Sequence, residues 1–463
     1  MAAKGWAKYA EAPTLEGSNP YPMRYLICCS TLWLLACSTP RRTTTAPPAD
    51  PLGVAASPVF ARAHTGFALY DPAEQEWLDA YQADKYFIPA SNTKLLTYYA
   101  GLRLLPDTLP ALHYYVQGDS LILWGAGHPS LLHPDLPGAD SIIINFLRRR
   151  PERLFYCPGN FGGERYGAGW AWDDYRYGYQ AERSPLPLYG NAVRFRRDSS
   201  LRRGFYVEPP LFAQFTELDA DLGGAAPRVH RAEFDNRFSY NPRALVGEPF
   251  ERTVPFQTGA KLTTRLLGEV LEREVQLLNL ALPVPPEART LYAVPAAALY
   301  RVMLQESDNF VAEQLLLAAS GSLNGRLDTR TVIDYVLDSL LADLPQEPRW
   351  VDGSGLSRYN LTTPRSTVRL LEKIQALVPP ETLLATLPAG GVTGTIKNWY
   401  VADRPYVFAK TGTLSNNHCL SGYLRTRSGR VLLFSFMHNN FAGPSKPFKE
   451  EMQRILERIY QRY

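Results

Sequence analysis

The spacing of three short polar motifs constrains this chain more than any other feature. Ser91-Asn92-Thr93-Lys94, Ser307-Asp308-Asn309 and Lys410-Thr411-Gly412 occur in that order, with 216 residues from Ser91 to Ser307 and 103 from Ser307 to Lys410. Each is cheap by itself, since a Ser that caps a helix followed by a solvated Lys is a common arrangement. Together they put a hydroxyl, an amine, an amide and a second amine in an order that chance rarely supplies. The run after Pro89 has helical periodicity, with Leu95, Leu96, Tyr99 and Leu102 near one face. On a helix Ser91 and Lys94 share a face, which brings a nucleophile beside a possible base. Ser307-Asp308-Asn309 is expected on a second helical segment, and Phe408 to Leu414 reads as a strand.

The gap of 216 residues is far more than one helical subdomain needs, so a module is inserted between the first two motifs. Its expected limits are residues 113–284: a hairpin-like alternation begins at His113, and the amphipathic run Lys261 to Val275 leads back. Further on, two apolar runs flank Ser428-Gly429 and read as a hairpin. Lys446 to Tyr463 is an amphipathic helix whose mixed charges favour core packing over a membrane surface.

Composition adds limits. The 463 residues carry 49 Lys and Arg against 45 Asp and Glu, a formal charge of +4, with 45% hydrophobic residues. At roughly 100–200 residues per domain this is an ordinary globular chain of two or three domains. Arg148 to Arg150 and Arg194 to Arg203 are locally basic but lack the interleaved aromatics that stack bases, so no nucleic-acid partner is expected. There is no Cys-x-x-Cys and no His-Glu-x-x-His, and the seven His are scattered, so no metal or other cofactor is expected.

The stretch Met23 to Cys37 has one Arg, about a dozen mostly apolar residues and the ending Leu34-Leu35-Ala36-Cys37. It is shorter than the roughly 20 apolar residues of a spanning helix and has the layout of a secretory signal. The ending resembles the bacterial lipobox, which implies lipidation at Cys37 and a membrane anchor, with translation starting at Met23. Residues 1–36 are therefore read as signal, and the Thr- and Pro-rich residues 37–57 as an extended tether. Cys157 and Cys419 then remain as one possible disulfide that nothing in their spacing requires.

The three motifs are the set that marks penicillin-binding proteins and serine β-lactamases. Within that group the chain resembles the D-alanyl-D-alanine carboxypeptidase/endopeptidase family, the low-molecular-mass class C penicillin-binding proteins. Asp352-Gly353-Ser354-Gly355-Leu356-Ser357 and the Gly-rich stretch Leu387 to Thr395 are similar to that family, as is Gly125-Ala126-Gly127-His128, where His128 stands in place of its usual Asp. The resemblance implies an α+β fold: a β-lactamase/transpeptidase-like domain, 58–112 and 285–463, with an antiparallel sheet flanked by helices plus a helical subdomain. The large insertion, 113–284, is expected to be β-rich, with one or two subdomains.

The resemblance also implies an exported enzyme on the periplasmic side of a bacterial membrane, acting on peptidoglycan stem peptides and acylated by β-lactam antibiotics. Ser91 is the implied nucleophile and Lys94 the base, its pKa lowered by burial or by the charge of Lys410. Ser307 relays a proton to the leaving amine, Asn309 holds substrate and Lys94, and Lys410 with Thr411 and Thr413 receives the terminal carboxylate. Gly412 is expected to let the substrate strand approach closely. The backbone N–H groups of Ser91 and Thr413 would form the oxyanion hole. Two rival readings stand beside it: a β-lactamase, against which no Glu-x-x-Leu-Asn segment lies between Asn309 and Lys410, and a non-catalytic cell-wall binding protein that kept the fold, against which Ser91, Lys94, Ser307, Asn309, Lys410, Thr411 and Gly412 are all present.

Overall fold

The computed structural model describes residues 50–463, apart from 137, 139, 199, 202, 203 and 248. The expected signal segment, the lipidation site Cys37 and most of the tether lie outside the described residues. The tether ends earlier than residue 57. Leu52 and Val54 are buried with Met452 and Ile455, and Arg458 Nη1 donates to Leu52 O at 2.8 Å. Those two side chains supply the apolar anchor that the Thr/Pro stretch before them lacks.

The chain begins with β1 (His64–Asp71), β2 (Glu76–Tyr81), α1 (Lys94–Leu104), β3 (Thr108–Gln117), β4 (Ser120–Gly125), α2 (Asp140–Arg148) and β5 (Arg153–Tyr156). It continues through β6 (Ala192–Arg197), β7 (Phe205–Glu208), β8 (Thr216–Leu218), β9 (Val229–Arg231), β10 (Phe238–Tyr240), β11 (Glu251–Pro255), α3 (Ala260–Leu271), β12 (Val275–Leu277) and β13 (Arg289–Pro295). It ends with α4 (Ala296–Gln305), α5 (Asn309–Asn324), α6 (Thr329–Tyr335), α7 (Pro364–Gln375), α8 (Pro380–Thr386), β14 (Val407–Leu414), β15 (Asn417–Arg425), β16 (Val431–Asn439) and α9 (Lys446–Arg462).

A five-stranded antiparallel sheet, β14-β15-β16-β1-β2, joins the two ends of the chain. Successive side chains of a strand point to opposite faces, and both faces here are covered. Phe67, Leu69, Phe434 and Phe436 pack in one cluster with the α9 residues Met452, Ile455 and Ile459. Ala68, Tyr70, Tyr423 and Leu433 pack in the other with Leu370 and Leu371 of α7, and Tyr423 donates its hydroxyl to Leu371 O at 2.7 Å. The β15–β16 hairpin turns at Gly429, where φ is +93°, and α9 buries Phe448, Met452, Ile455, Leu456 and Ile459. Both follow the apolar patterns of the sequence.

The helix α5 is buried along most of its length, from Phe310 to Ser320, as expected of a helix apolar on all sides. It contacts α1, α4 and α6. The segment from β3 through β13 builds three further sheets, β12-β5-β4-β3-β13, β11-β6-β7 and β8-β10-β9; the expected limit at residue 113 falls inside β3, which pairs with β13 beyond the expected limit at 284. None of them shares a strand with the sheet that carries Lys410. Cys157 and Cys419 are both buried and free.

Candidate active site

Ser91 does not sit on α1 itself. It lies in a tight 3-10 turn, Ala90–Thr93, that feeds the helix at Lys94. Ala90 has φ +49°, a conformation that a residue with a Cβ adopts at a cost and that tends to mark sites where backbone strain is held by its surroundings. Two glycines hold this turn. A Cβ on Gly412 of β14 would stand 2.3 Å from Pro89 O and 3.1 Å from the Ser91 amide nitrogen. A Cβ on Gly355, at φ +84°, would stand 1.9 Å from Ala90 O. The close approach that Gly412 permits here is to the serine turn of the protein itself.

Lys94 is fully buried, and its Nζ lies 3.0 Å from Ser91 Oγ, 2.6 Å from Asn309 Oδ1 and 2.7 Å from Ser354 O. Burial lowers its pKa to about 8, against the pull of Asp308, Asp352 and Glu313, which favour the charged form. Desolvation does what the sequence reading allowed the charge of Lys410 to do. The influence runs the other way as well: Lys410, also fully buried, is held well below its ordinary value by burial and then by the charge of Lys94.

The second motif is not on a helix at its first residue. Ser307 has φ +60° in the link between α4 and α5, and Asp308 caps α5 by accepting from Val311 N at 2.8 Å. The helix begins at Asn309, which therefore projects from a fixed first turn. Its Oδ1 accepts from Lys94, and its Nδ2 donates to Tyr179 O at 2.9 Å. Lys410 Nζ donates to Ser307 Oγ and to Thr411 O, both at 2.8 Å. Two polar clusters result, Ser91–Lys94–Asn309 and Ser307–Lys410, drawn from three distant stretches of sequence and close enough for the charge of Lys94 to act on Lys410.

Thr411 and Thr413 flank Gly412 on β14. The Thr411 hydroxyl lies 2.7 Å from that of Thr395 in the Gly-rich segment, and Thr413 Oγ1 lies 2.8 Å from His418 Nδ1 on β15. Thr413 itself is exposed at the end of the strand. Among the described residues no group of three or more His, Cys, Asp or Glu is arranged to hold a metal ion.

Around these residues lie the Asp352–Ser357 loop singled out in the sequence and several neighbours that carry no sequence signal, Trp170, Tyr179, Arg183 and Glu313. Asp352, fully buried, accepts from Gly355 N, Ser357 N, Asn360 Nδ2 and Trp170 Nε1 at 2.7 to 2.8 Å, which fixes the loop whose Ser354 carbonyl meets Lys94. Glu313 accepts from Ser354 N at 2.8 Å and pairs with Arg183 at 3.4 Å. Burial raises the Glu313 pKa, and Arg183 opposes that shift. Trp170, Tyr179 and Arg183 all come from the segment between β3 and β13. A cleft of about 330 Å³ opens beside Ser307 and Asn309, with Tyr179, Arg194, Glu208 and Phe310 among its walls. His128 is buried, its Nδ1 accepting from Ser130 N, away from this cleft.

The chain is similar to known proteins over most of its length. The family described as D-Ala-D-Ala carboxypeptidase 3 (S13) matches residues 53–459. The chain is 27% identical to a D-alanyl-D-alanine carboxypeptidase of Actinomadura sp. (strain R39) over 439 residues, covering 84% of this chain and 80% of that one. It is 24% identical to the D-alanyl-D-alanine carboxypeptidase DacB of Haemophilus influenzae, covering 82% of this chain and 86% of that one. The crystal structure of penicillin binding protein 4 from Haemophilus influenzae shares the fold at a TM-score of 0.70 and 19% identity, covering 86% of this chain and 97% of the other.

Proposed function

The chain belongs to the D-Ala-D-Ala carboxypeptidase 3 (S13) family, and from that premise we propose that Ser91 is the nucleophile of a penicillin-sensitive serine carboxypeptidase acting on peptidoglycan stem peptides. The observation that carries the assignment is the set of partners around Lys94. As a neutral amine, Lys94 has two N–H donors, which Asn309 Oδ1 and Ser354 O accept. The lone pair is then left facing the hydroxyl of Ser91, as a general base requires.

In this reading Ser91 Oγ attacks the carbonyl carbon of the D-alanyl-D-alanine bond while its proton passes to Lys94. The oxyanion is received by the backbone N–H groups of Ser91 and Thr413. When the bond breaks, Ser307 gives its hydroxyl proton to the departing amine of D-alanine and takes in its place the proton that Lys94 received from Ser91, which returns Lys94 to the neutral amine; Lys410 orients Ser307 through their 2.8 Å contact. Lys410, Thr411 and Thr413 take the terminal carboxylate. Water then releases the acyl group from Ser91, and cleavage of cross-linked peptides, an endopeptidase activity, uses the same steps with a larger leaving amine. Export and anchoring through a lipid on Cys37 belong to the same reading and rest on the sequence from Met23 to Cys37.

Incubation with a labelled penicillin tests the assignment. The label is expected to stay covalently attached, to map to Ser91, and to vanish in Ser91→Ala. Rapid turnover of the drug, or labelling that survives the substitution, would overturn it.

A further inference from the structure

A second cavity, of about 420 Å³, lies in the segment between β3 and β13 and is lined by Arg176, Tyr177, Arg228, Val229, His230 and Arg252 together with the Ala226–Pro227 turn. Three guanidinium groups and one imidazole face it, and its walls include no carboxylate. Other arginines of the same segment are matched: Arg165 pairs with Glu182, Arg194 with Asp135 and Glu251, and Arg237 with Asp235. Arg176, Arg228 and Arg252 have no ion pair among the described residues. Like charges gathered around one cavity without counter-charge raise the local concentration of anions, and the planar guanidinium fork suits a carboxylate bidentately.

The cavity adjoins the cleft beside Ser307 and Asn309, the two site residues among that cleft's walls. Thr253, next to Arg252 on β11, lines the cleft at Ser307 and Asn309, while Arg252 lines the basic cavity. Gly178 and Tyr179 line the cleft, while Arg176 and Tyr177 line the cavity. The Tyr177 and Tyr179 rings stack with centroids 5.4 Å apart, and Tyr179 O accepts from Asn309. One wall, residues 176–179 with 252–253, therefore separates the two spaces. His230 is held below its ordinary pKa first by burial and then by Arg176, Arg228 and Arg252, with Asp219 opposing, so near neutral pH it offers an uncharged ring to the same space.

We infer that this basic cavity is an anchoring site for a carboxylate of the peptidoglycan polymer outside the peptide being cleaved, so that the enzyme engages a strand bearing several stem peptides better than an isolated peptide. The inference rests on the proposed function above and extends it to the form of the substrate. A carboxylate is favoured over a phosphodiester polymer because the wall shared with the catalytic cleft puts the cavity beside a substrate whose stem peptides end in carboxylates.

The test compares wild type with Arg228→Glu/Arg252→Glu, two exposed positions outside the catalytic machinery. Release of D-alanine is measured from soluble uncross-linked strands and from an acylated peptide whose only carboxylate is the terminal one. The double variant is expected to raise KM on strands roughly tenfold with kcat unchanged and to leave the short peptide untouched, and the difference should fade as salt screens the charges. Arg228→Gln/Arg252→Gln should give a smaller rise in the same direction. Equal KM values for wild type and variants on strands, or stronger competition by a phosphodiester polymer than by strands, would overturn the inference. If neither substrate releases D-alanine, the parent reading fails instead, and co-sedimentation of the same proteins with insoluble peptidoglycan still decides the cavity: loss of binding in the charge-reversed variant supports it and equal binding refutes it.

Discussion

Lys94 is where the chemistry is set by one residue's surroundings. Its amine reaches a pKa of about 8 because burial removes water from it, even though three acids pull the other way. The base form therefore grows as pH rises through about 8 and levels off above it. The acylation rate of Ser91 by penicillin should fall about tenfold for each pH unit below that point, and stopped-flow labelling between about pH 6 and about pH 10, roughly two units either side of it, would trace the curve. Lys94→Arg, which stays protonated throughout, should show no such rise and lose at least about 100-fold in rate. A profile flat across the window would mean that Lys94 is not the base. The residue types were legible in sequence; that Ser354 O completes the shell of Lys94 was not, because a backbone carbonyl leaves no mark in residue identity.

Among the elements, the serine turn depends on the two glycines that clamp it, one on β14 and one in the 352–360 loop. Gly412→Ala and Gly355→Ala each force a methyl group onto backbone oxygen at 2.3 Å and 1.9 Å, and backbone cannot rotate away as a side chain can. Each should destabilise the fold by about 1–3 kcal/mol and, by shifting Ser91 relative to Lys94, slow acylation by about 100-fold. Thermal unfolding and penicillin labelling measured together check this; full labelling rates in a destabilised Gly412→Ala protein would show that the turn does not depend on the contact. Periodicity predicted α9 and the β15–β16 hairpin because each buries one regular set of positions. It missed the break before α5, since Ser307 at φ +60° is held by its neighbours and by nothing in its local pattern.

At the scale of the whole molecule, the segment between β3 and β13 contributes to the shell of the candidate site. Trp170 holds Asp352, Tyr179 holds Asn309, and Arg183 neutralises Glu313 across 130 residues of sequence. Arg183→Met should leave Glu313 buried without its partner and cost about 3–5 kcal/mol. Adding Glu313→Gln should recover part of that loss, and a double-mutant cycle by chemical denaturation measures it; additive losses would show that the two side chains are not coupled.

The sequence by itself determined the chemistry available and much of the local architecture: the three motifs, their order and spacing, the family resemblance, and the elements whose apolar positions repeat with a helical or strand period. These are properties of short windows, where one residue's neighbours are its neighbours in the chain. Only the tertiary structure decided that Gly412 meets the serine turn, that burial tunes Lys94, that Cys157 and Cys419 stay unpaired, and that Arg176, Arg228 and Arg252 converge on one cavity. Each of those depends on contacts between residues tens to hundreds of positions apart, which the packing of the folded chain selects and no local pattern encodes.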